Sequence, residues 1–425
     1  MLPSGLQEAG SALLISKYQK LLDHARALDY HAPTHLSGRG IVICAGGPRL
    51  FTCAWVLIHQ LREVLRCTLP IQVWYAGAAE MDAHMIALLQ VLARVEAIDA
   101  TQVPGYERIR PHPGWALKPF ALVNSQFREV LMVDADNLPV VDPEFLFDDP
   151  RYVETGAIFW PDLEPVRKTS AIWEVTRVPY REEPSFESGQ LLVDKSRSRK
   201  ALMLAMHLNE NARFYYTLIH GDKDTFHFAW RMAGCPYAMP GNVPGRLEAD
   251  VYPELVHIGP VLLQAGFDGR LIFQHRNWPK WFAFGANPRY PGFLYEQECL
   301  GFLARLAEAW DGRISKPAPP PPPAYWQSPT GTRWFNYVLV GSTDRLMEFL
   351  PDHRIGWGAT TNEQEWAIIQ NQGQQNQGQP TLVIVGEHGI TCRLTRDTDG
   401  VWRGRWQIDE CGNVELVPFA AESQA

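Results

Sequence analysis

Val130-Leu131-Met132-Val133-Asp134-Ala135-Asp136-Asn137 decides how this chain is read. An apolar run without alternation fits a strand buried on both faces, as inside a parallel sheet. Two aspartates follow at its carboxyl end, the edge where open α/β sheets bind ligands. Side chains alternate along extended backbone, so Asp134 and Asp136 can point the same way and share one hard cation. That pair suits a metal-bridged nucleotide diphosphate.

The same D-x-D spacing recurs at Asp222/Asp224 and Asp397/Asp399, so context must separate the three. Asp397-Thr398-Asp399-Gly400 has the chemistry of a hairpin turn, because Asp-Gly tolerates positive φ angles. His220-Gly221-Asp222-Lys223-Asp224-Thr225-Phe226 reads as a loop entering a helix. A cap at Asp222 would account for one carboxylate there but not for two.

Working outward, strands alternate with helices through the first 140 residues. Ala12 to Ala27 reads as a helix, Gly40 to Ala45 as a strand closed by Gly46-Gly47, and Leu50 to Leu65 as a helix. A strand at Ile71 to Tyr75, a helix at Met81 to Leu92, a strand at Val95 to Ile98 and a helix at Leu117 to Ser125 follow. This alternation predicts a parallel, right-handed βαβ sheet. Small residues such as Gly46 at a strand end let a nucleotide approach the backbone.

Pro319 to Pro323 form an unbroken proline run, which favours a stiff extended linker. The expected division is therefore a catalytic domain at 1–315, a linker at 316–329 and a small β-rich domain at 330–425. In the last part, Trp334 to Val340, Trp366 to Ile369, Thr381 to Val385 and Val401 to Trp406 read as short antiparallel strands. Gln370 to Gln379 is a low-complexity loop. Trp357, Trp366, Trp402 and Trp406 fit a β core better than a sugar-binding face.

The 425 residues are 46% hydrophobic, ordinary for a globular protein, and the net charge of -8 offers no global field for nucleic acid. Seven cysteines without a C-x-x-C spacing read as reduced core residues. Met1 to Ser11 shows no basic region leading into an apolar core, and no apolar run approaches the roughly 20 residues that span a bilayer. These features predict a cytoplasmic protein without a transmembrane segment, in peripheral contact with the inner face of a membrane.

Four further segments supply chemistry. Lys118 places a cation near the key strand, where it can approach phosphates. Glu187-Ser188-Gly189-Gln190 puts small and polar residues ahead of a second buried strand, and Gly189 would let a sugar come close. Leu271-Ile272-Phe273 reads as a strand closed by His275-Arg276-Asn277-Trp278-Pro279-Lys280. Imidazole is a good third ligand for manganese beside two carboxylates, and Lys280 can offset charge on a departing diphosphate.

Taken in order, Trp115 to Leu122, Leu131 to Pro139, Phe159 to Asp162, Glu187 to Gln190, Gly221 to Phe226 and His275 to Asn277 resemble the fungal α-1,2/α-1,3-mannosyltransferase family. The likeness runs over residues 38 to 300, and the series is more distantly similar to glycogenin-like retaining glycosyltransferases. The resemblance implies an α/β fold of the GT-A type, Rossmann-like, followed here by the small antiparallel β domain. It also implies metal-dependent transfer of a hexose, mannose favoured, from GDP-mannose or a UDP-hexose, with retention. The acceptor would be a glycan, glycolipid or protein hydroxyl. It makes Asp134, Asp136 and His275 ligands of Mn2+ or Mg2+ and Lys280 a diphosphate contact. Gly189, Gln190, Asp222 and Asp224 would line donor sugar and acceptor, while Gly46 and Lys118 fall on the cofactor side. Glu187, Asp222 and Asp224 are the carboxylates available for catalysis. Two alternatives are a sugar nucleotidyltransferase, loosely echoed by Cys44 to Arg49, and a non-catalytic carbohydrate-binding protein on a transferase scaffold.

Overall fold

A computed structural model describes residues 4–31, 36–109, 113–250, 259–278, 280–314, 333–340, 343–350, 352–356, 359, 363–370, 380–386, 389–406 and 412–418. The proline-rich linker at 316–329, Trp357 and most of the glutamine tract lie outside these residues.

The chain opens with α1 (Ser4–Ala27), longer than the sequence reading. It continues through β1 (Arg39–Cys44), α2 (Gly47–His59) with a π turn to Val64, β2 (Ile71–Tyr75), α3 (Ala83–Gln90) and β3 (Val95–Asp99). Asp82 starts α3 by accepting a bond from the Met85 amide at 2.9 Å, so the helix begins later than the apolar pattern alone predicts. Next come α4 (Pro113–Asn124), β4 (Glu129–Val133), β5 (Asn137–Pro139), α5 (Pro150–Thr155), β6 (Ala157–Pro161), α6 (Ile172–Thr176) and β7 (Phe186–Asp194). The domain closes with α7 (Arg199–Glu210), α8 (Ala212–Tyr215), α9 (Gly221–Ala233), β8 (Gly245–Leu247), β9 (Val261–Ala265), β10 (Leu271–His275) and α10 (Glu296–Ala309).

Six strands form the main sheet in the order β3-β2-β1-β4-β7-β6. Strands β1 to β4 are parallel, but β7 runs antiparallel to β4, and β6 antiparallel to β7. The wholly parallel expectation is corrected at that edge, because an apolar run buried on both faces looks the same in either direction. Alternation along the central strands divides the core. Ile41, Ile43, Leu131 and Val133 pack with α2 and α10, whereas Val42, Val130 and Met132 pack with α4, α7 and α9.

A second sheet, β5-β10-β9-β8, is antiparallel and begins directly after the two aspartates. Its register pairs His275 with Asn137. A strand 138 residues later in the chain is thereby laid against the Asp134–Asp136 turn.

Beyond residue 332, β11 (Arg333–Leu339), β12 (Thr343–Phe349), β13 (Glu365–Gln370), β14 (Pro380–Gly386), β15 (Gly389–Arg396), β16 (Trp402–Trp406) and β17 (Asn413–Pro418) form one antiparallel sheet, ordered β12-β11-β17-β16-β15-β14-β13. Trp402 is part of its core and Trp366 and Trp406 pack against it. Asp397 and Asp399 lie in the β15–β16 hairpin turn with Gly400 at φ +84°, and both pair with Arg403. Strands β12, β15 and β17 add to the four expected there, each a short run with buried Met347 and Phe349, Cys392 and Leu394, or Val414 and Leu416 flanking a charge. Among the described residues no helix is long and apolar enough to cross a membrane.

Candidate functional site

Both aspartates sit where β4 has ended and β5 has not begun, and one local and two long-range backbone bonds shape that turn. The Asp134 amide donates to the Gly189 carbonyl at 2.8 Å, the Asn137 amide to Asp134 at 3.0 Å, and the Arg276 amide to Asp136 at 2.9 Å. His275 follows from the strand register: its Nε2 is 3.3 Å from Asp136 Oδ1 and 3.9 Å from Asp134 Oδ2. One ligand atom from each of Asp134, Asp136 and His275 lies within 4.8 Å of the other two.

Two lysines balance the carboxylates. Lys118 Nζ, from α4, is 2.8 Å from Asp134 Oδ2, and Lys280 donates to Asp136 Oδ2. Burial works against an ionised Asp136, but Lys280 and His275 outweigh it and hold its pKa well below the usual carboxylate range. For Asp134, burial wins over Lys118, with Asp136 adding to it, and the pKa is raised. Burial also opposes a charged His275, yet Asp136 and Glu187 drive its pKa up to about 10. Glu187 is buried as well, but the His275 ring and the Gly189 amide pull it down to about 2. Two carboxylates and an imidazole form a donor set suited to one divalent cation.

The remaining candidates divide between those facing a cavity of about 930 Å³ and those behind it. Lys118, Asp134, Glu187, Asp222, Asp224 and His275 line the cavity. Asp222 Oδ2 is buried and lacks a hydrogen-bond partner, although Lys118 Nζ lies 3.4 Å away without bonding geometry. Asp224, rather than Asp222, closes the start of α9: its Oδ2 accepts from the His220 amide at 2.8 Å and its Oδ1 from the Ser185 hydroxyl.

Glu187 to Gln190 lie within β7 and not ahead of it, every residue buried. A Cβ at Gly189 would lie 2.5 Å from His275 Nδ1, so the missing side chain makes room for the imidazole. Gln190 is fully buried and accepts from Asn137 Nδ2 at 2.5 Å, bracing the turn from behind. Gly46 starts α2, and a Cβ there would come within 2.0 Å of the Glu80 carboxylate. It lies apart from the cavity. Sequence reasoning included but gave no role to Asp162, which receives a bond from Lys223, or to the exposed Trp115 and Trp278 on the cavity wall. For the two tryptophans the signal was position: Trp115 lies three residues before Lys118 and Trp278 three after His275.

A Rossmann-like sheet with carboxylates at a central strand end, completed by a histidine from an antiparallel crossing strand, defines a GT-A glycosyltransferase fold. Residues 38–185 and 176–245 match the family described as "Mannosyltransferase putative". Among curated relatives, alpha-1,2-mannosyltransferase MNN2 of Candida albicans is 23% identical, over 67% of this chain and 59% of its own. MNN2 of Saccharomyces cerevisiae is 24% identical, over 62% of this chain and 49% of its own. The chain thus spans about half the length of the curated relatives it matches. Among solved structures, the galactosyltransferase LgtC with donor and acceptor sugar analogues is similar over 47% of this chain and 73% of that one, at 16% identity and a TM-score of 0.36.

Proposed function

We propose that this protein transfers a hexose, mannose in first place, from a nucleotide-diphosphate sugar to a glycan hydroxyl with retention of configuration. The observation that carries the reading is the approach of Asp134, Asp136 and His275 to within 4.8 Å across the β4–β5 turn and β10. GDP-mannose is favoured over UDP-hexoses by the mannosyltransferase family match.

In this mechanism Asp134, Asp136 and His275 hold Mn2+ or Mg2+, which when bound stabilises charge on the departing diphosphate. Lys118 and Lys280, already beside the two carboxylates, meet the phosphate oxygens and add fixed positive charge there. Glu187 acts through His275, whose Nδ1 is 3.6 Å from its carboxylate, and orients the ring. Of the three candidate catalytic carboxylates, all of which line the cavity, Asp222 is the one with a buried oxygen that accepts no hydrogen bond. It is therefore the carboxylate assigned to the reacting sugar, with Asp224 and Glu187 holding neighbouring groups. Gly189 and Gln190 contribute from behind, through His275 and Asn137.

The same proposal treats 1–315 as the transferase domain and 330–425 as an accessory domain. It keeps a cytoplasmic placement near the inner face of a membrane, supported by six described cysteines that form no disulfide. Incubation with GDP-mannose, UDP-glucose, UDP-galactose and UDP-GlcNAc, with and without Mn2+, tests the activity. Metal-dependent turnover of one donor is the expected outcome; no turnover of any would overturn it. Fractionation of the producing cells tests the placement.

A further inference from the structure

Among the described residues, the exposed tryptophan and phenylalanine side chains are few: Trp115 at 53%, Trp278 at 68% and Phe145 at 43%. Two of these three line the one cavity that also holds Asp134 and His275. Leaving an indole in water forgoes burial worth about 1.5–3 kcal/mol for a large apolar side chain. Two such sites at one cavity point to a ligand with flat apolar faces.

Neither ring is loose. Trp115 lies against Gly221, where a Cβ would come within 2.7 Å of its ring, and near Tyr216 and His220 with centroids 5.9 Å away. Trp278 lies against Gly259, where a Cβ would come within 2.6 Å. Each indole thus rests on a glycine. Trp115 also precedes Lys118 by three residues in α4, the spacing that stacks side chains on one helix face, and Trp278 follows His275 by three. Both rings therefore hang from segments that hold the metal-site charges.

The cavity walls contain no residue from the carboxyl ends of β1, β2 or β3, the edge at which a nucleotide lies on such a sheet. Of the strand ends in the main sheet's parallel half, β4 alone reaches the cavity, through Asp134; the rest of the wall comes from α4, β7, the loop into α9 and its start, β8 and β9 at Arg246 and Leu262, the end of β10 and the loop from Asp162 to Ala171. A volume of about 930 Å³ is near the top of the roughly 300–1,000 Å³ range of small-molecule pockets. That is more than one sugar ring requires.

We propose that Trp115 and Trp278 are stacking platforms for a neutral acceptor oligosaccharide of at least two rings, which the cavity presents to the sugar being transferred. The acceptor role rests on the transferase reading; oligosaccharide binding by the two indoles does not. Carbohydrate rings expose C–H faces that pack on an indole, and loss of one such platform costs on the order of 1.4 kcal/mol, or tenfold in affinity.

Calorimetric titration of the full chain with manno- and malto-oligosaccharides of one to four rings is the test. Affinity should rise about tenfold from one ring to three in one of the series. Trp115→Ala and Trp278→Ala should each lower it about tenfold, with Trp115→Tyr and Trp278→Tyr restoring most of the loss. In turnover, the same alanine variants should raise the KM for the oligosaccharide more than they lower kcat. Binding that ignores ring number, or that is unchanged in both alanine variants, overturns the proposal. So does loss of nucleoside diphosphate affinity without loss of oligosaccharide affinity, which would assign the indoles to the nucleobase. Oligosaccharide binding through both tryptophans with no donor turnover by the wild type would instead defeat the transferase reading alone.

Discussion

Replacing Gly189 with alanine separates a glycine that makes room for a ligand from one that makes room for a metal-site histidine. The new Cβ would lie 2.5 Å from His275 Nδ1, 2.6 Å from Cε1 and 3.0 Å from Glu187 Oε1. Carbon contacts settle at about 3.5–4.0 Å, so the ring must retreat by about 1 Å. The backbone cannot absorb the shift easily, because His275 is paired on both sides, with Asn137 of β5 and Leu262 of β9. Nε2, now 3.3 Å from Asp136 Oδ1, would leave its place. Overpacking of this kind costs about 1–3 kcal/mol of stability. Displacing groups that orient a ligating histidine costs about 10–100-fold in metal affinity or activity. Gly40→Ala is the control: its Cβ would press on Phe127 at 2.5 Å, remote from the metal cluster. Denaturant unfolding and Mn2+ titration of donor turnover read both terms. Both variants should lose stability, but only Gly189→Ala should need at least tenfold more Mn2+. A Gly189→Ala protein with wild-type stability and metal requirement would refute the packing argument.

Asp136→Asn removes one ligand charge while keeping shape, and donor turnover should fall about 10²-fold or more, together with the thermal shift that Mn2+ induces. Wild-type metal dependence in that variant would defeat the ligand assignment. Asp224→Ala strips the α9 start of its acceptor for the His220 amide and should cost about 1–2 kcal/mol in denaturant unfolding. Burial, followed by Arg199, pushes the Lys195 pKa down to about 7 from an unfolded value of 10.5. Between those pH values the unfolded chain binds more protons, so stability should rise with pH by a few kcal/mol. Lys195→Met should flatten that rise, and a slope unchanged by the substitution would show that the ammonium stays charged on the Val123 carbonyl and the Ser125 carbonyl and hydroxyl oxygens to which it donates.

Local pattern exposed much of this. The apolar run into Asp134 and the βα alternation before it were readable, since burial on both faces and helical periodicity are properties of neighbouring residues. Direction was not: β7 carries the same apolar signature parallel or antiparallel. The Glu187 to Gln190 stretch looked like a loop because small and polar residues are rare in buried strands. Here they are satisfied by the very groups they support, His275 and Asn137. Which of Asp222 and Asp224 closes the helix start was equally hidden, because the choice of carboxylate depends on where Ser185 and His220 arrive.

By itself, then, the sequence determined the layered α/β character, the strand ending in two aspartates, the hairpin at Asp397 to Gly400 and the candidate ligands. Only the tertiary structure decided how they meet. Pairing of β10 with β5 sets His275 against Asn137, 138 residues earlier, and so beside the aspartates, and the absence of a side chain at Gly189 lets it stay there. Such contacts depend on register and on free volume, neither of which is written in any local stretch of residues.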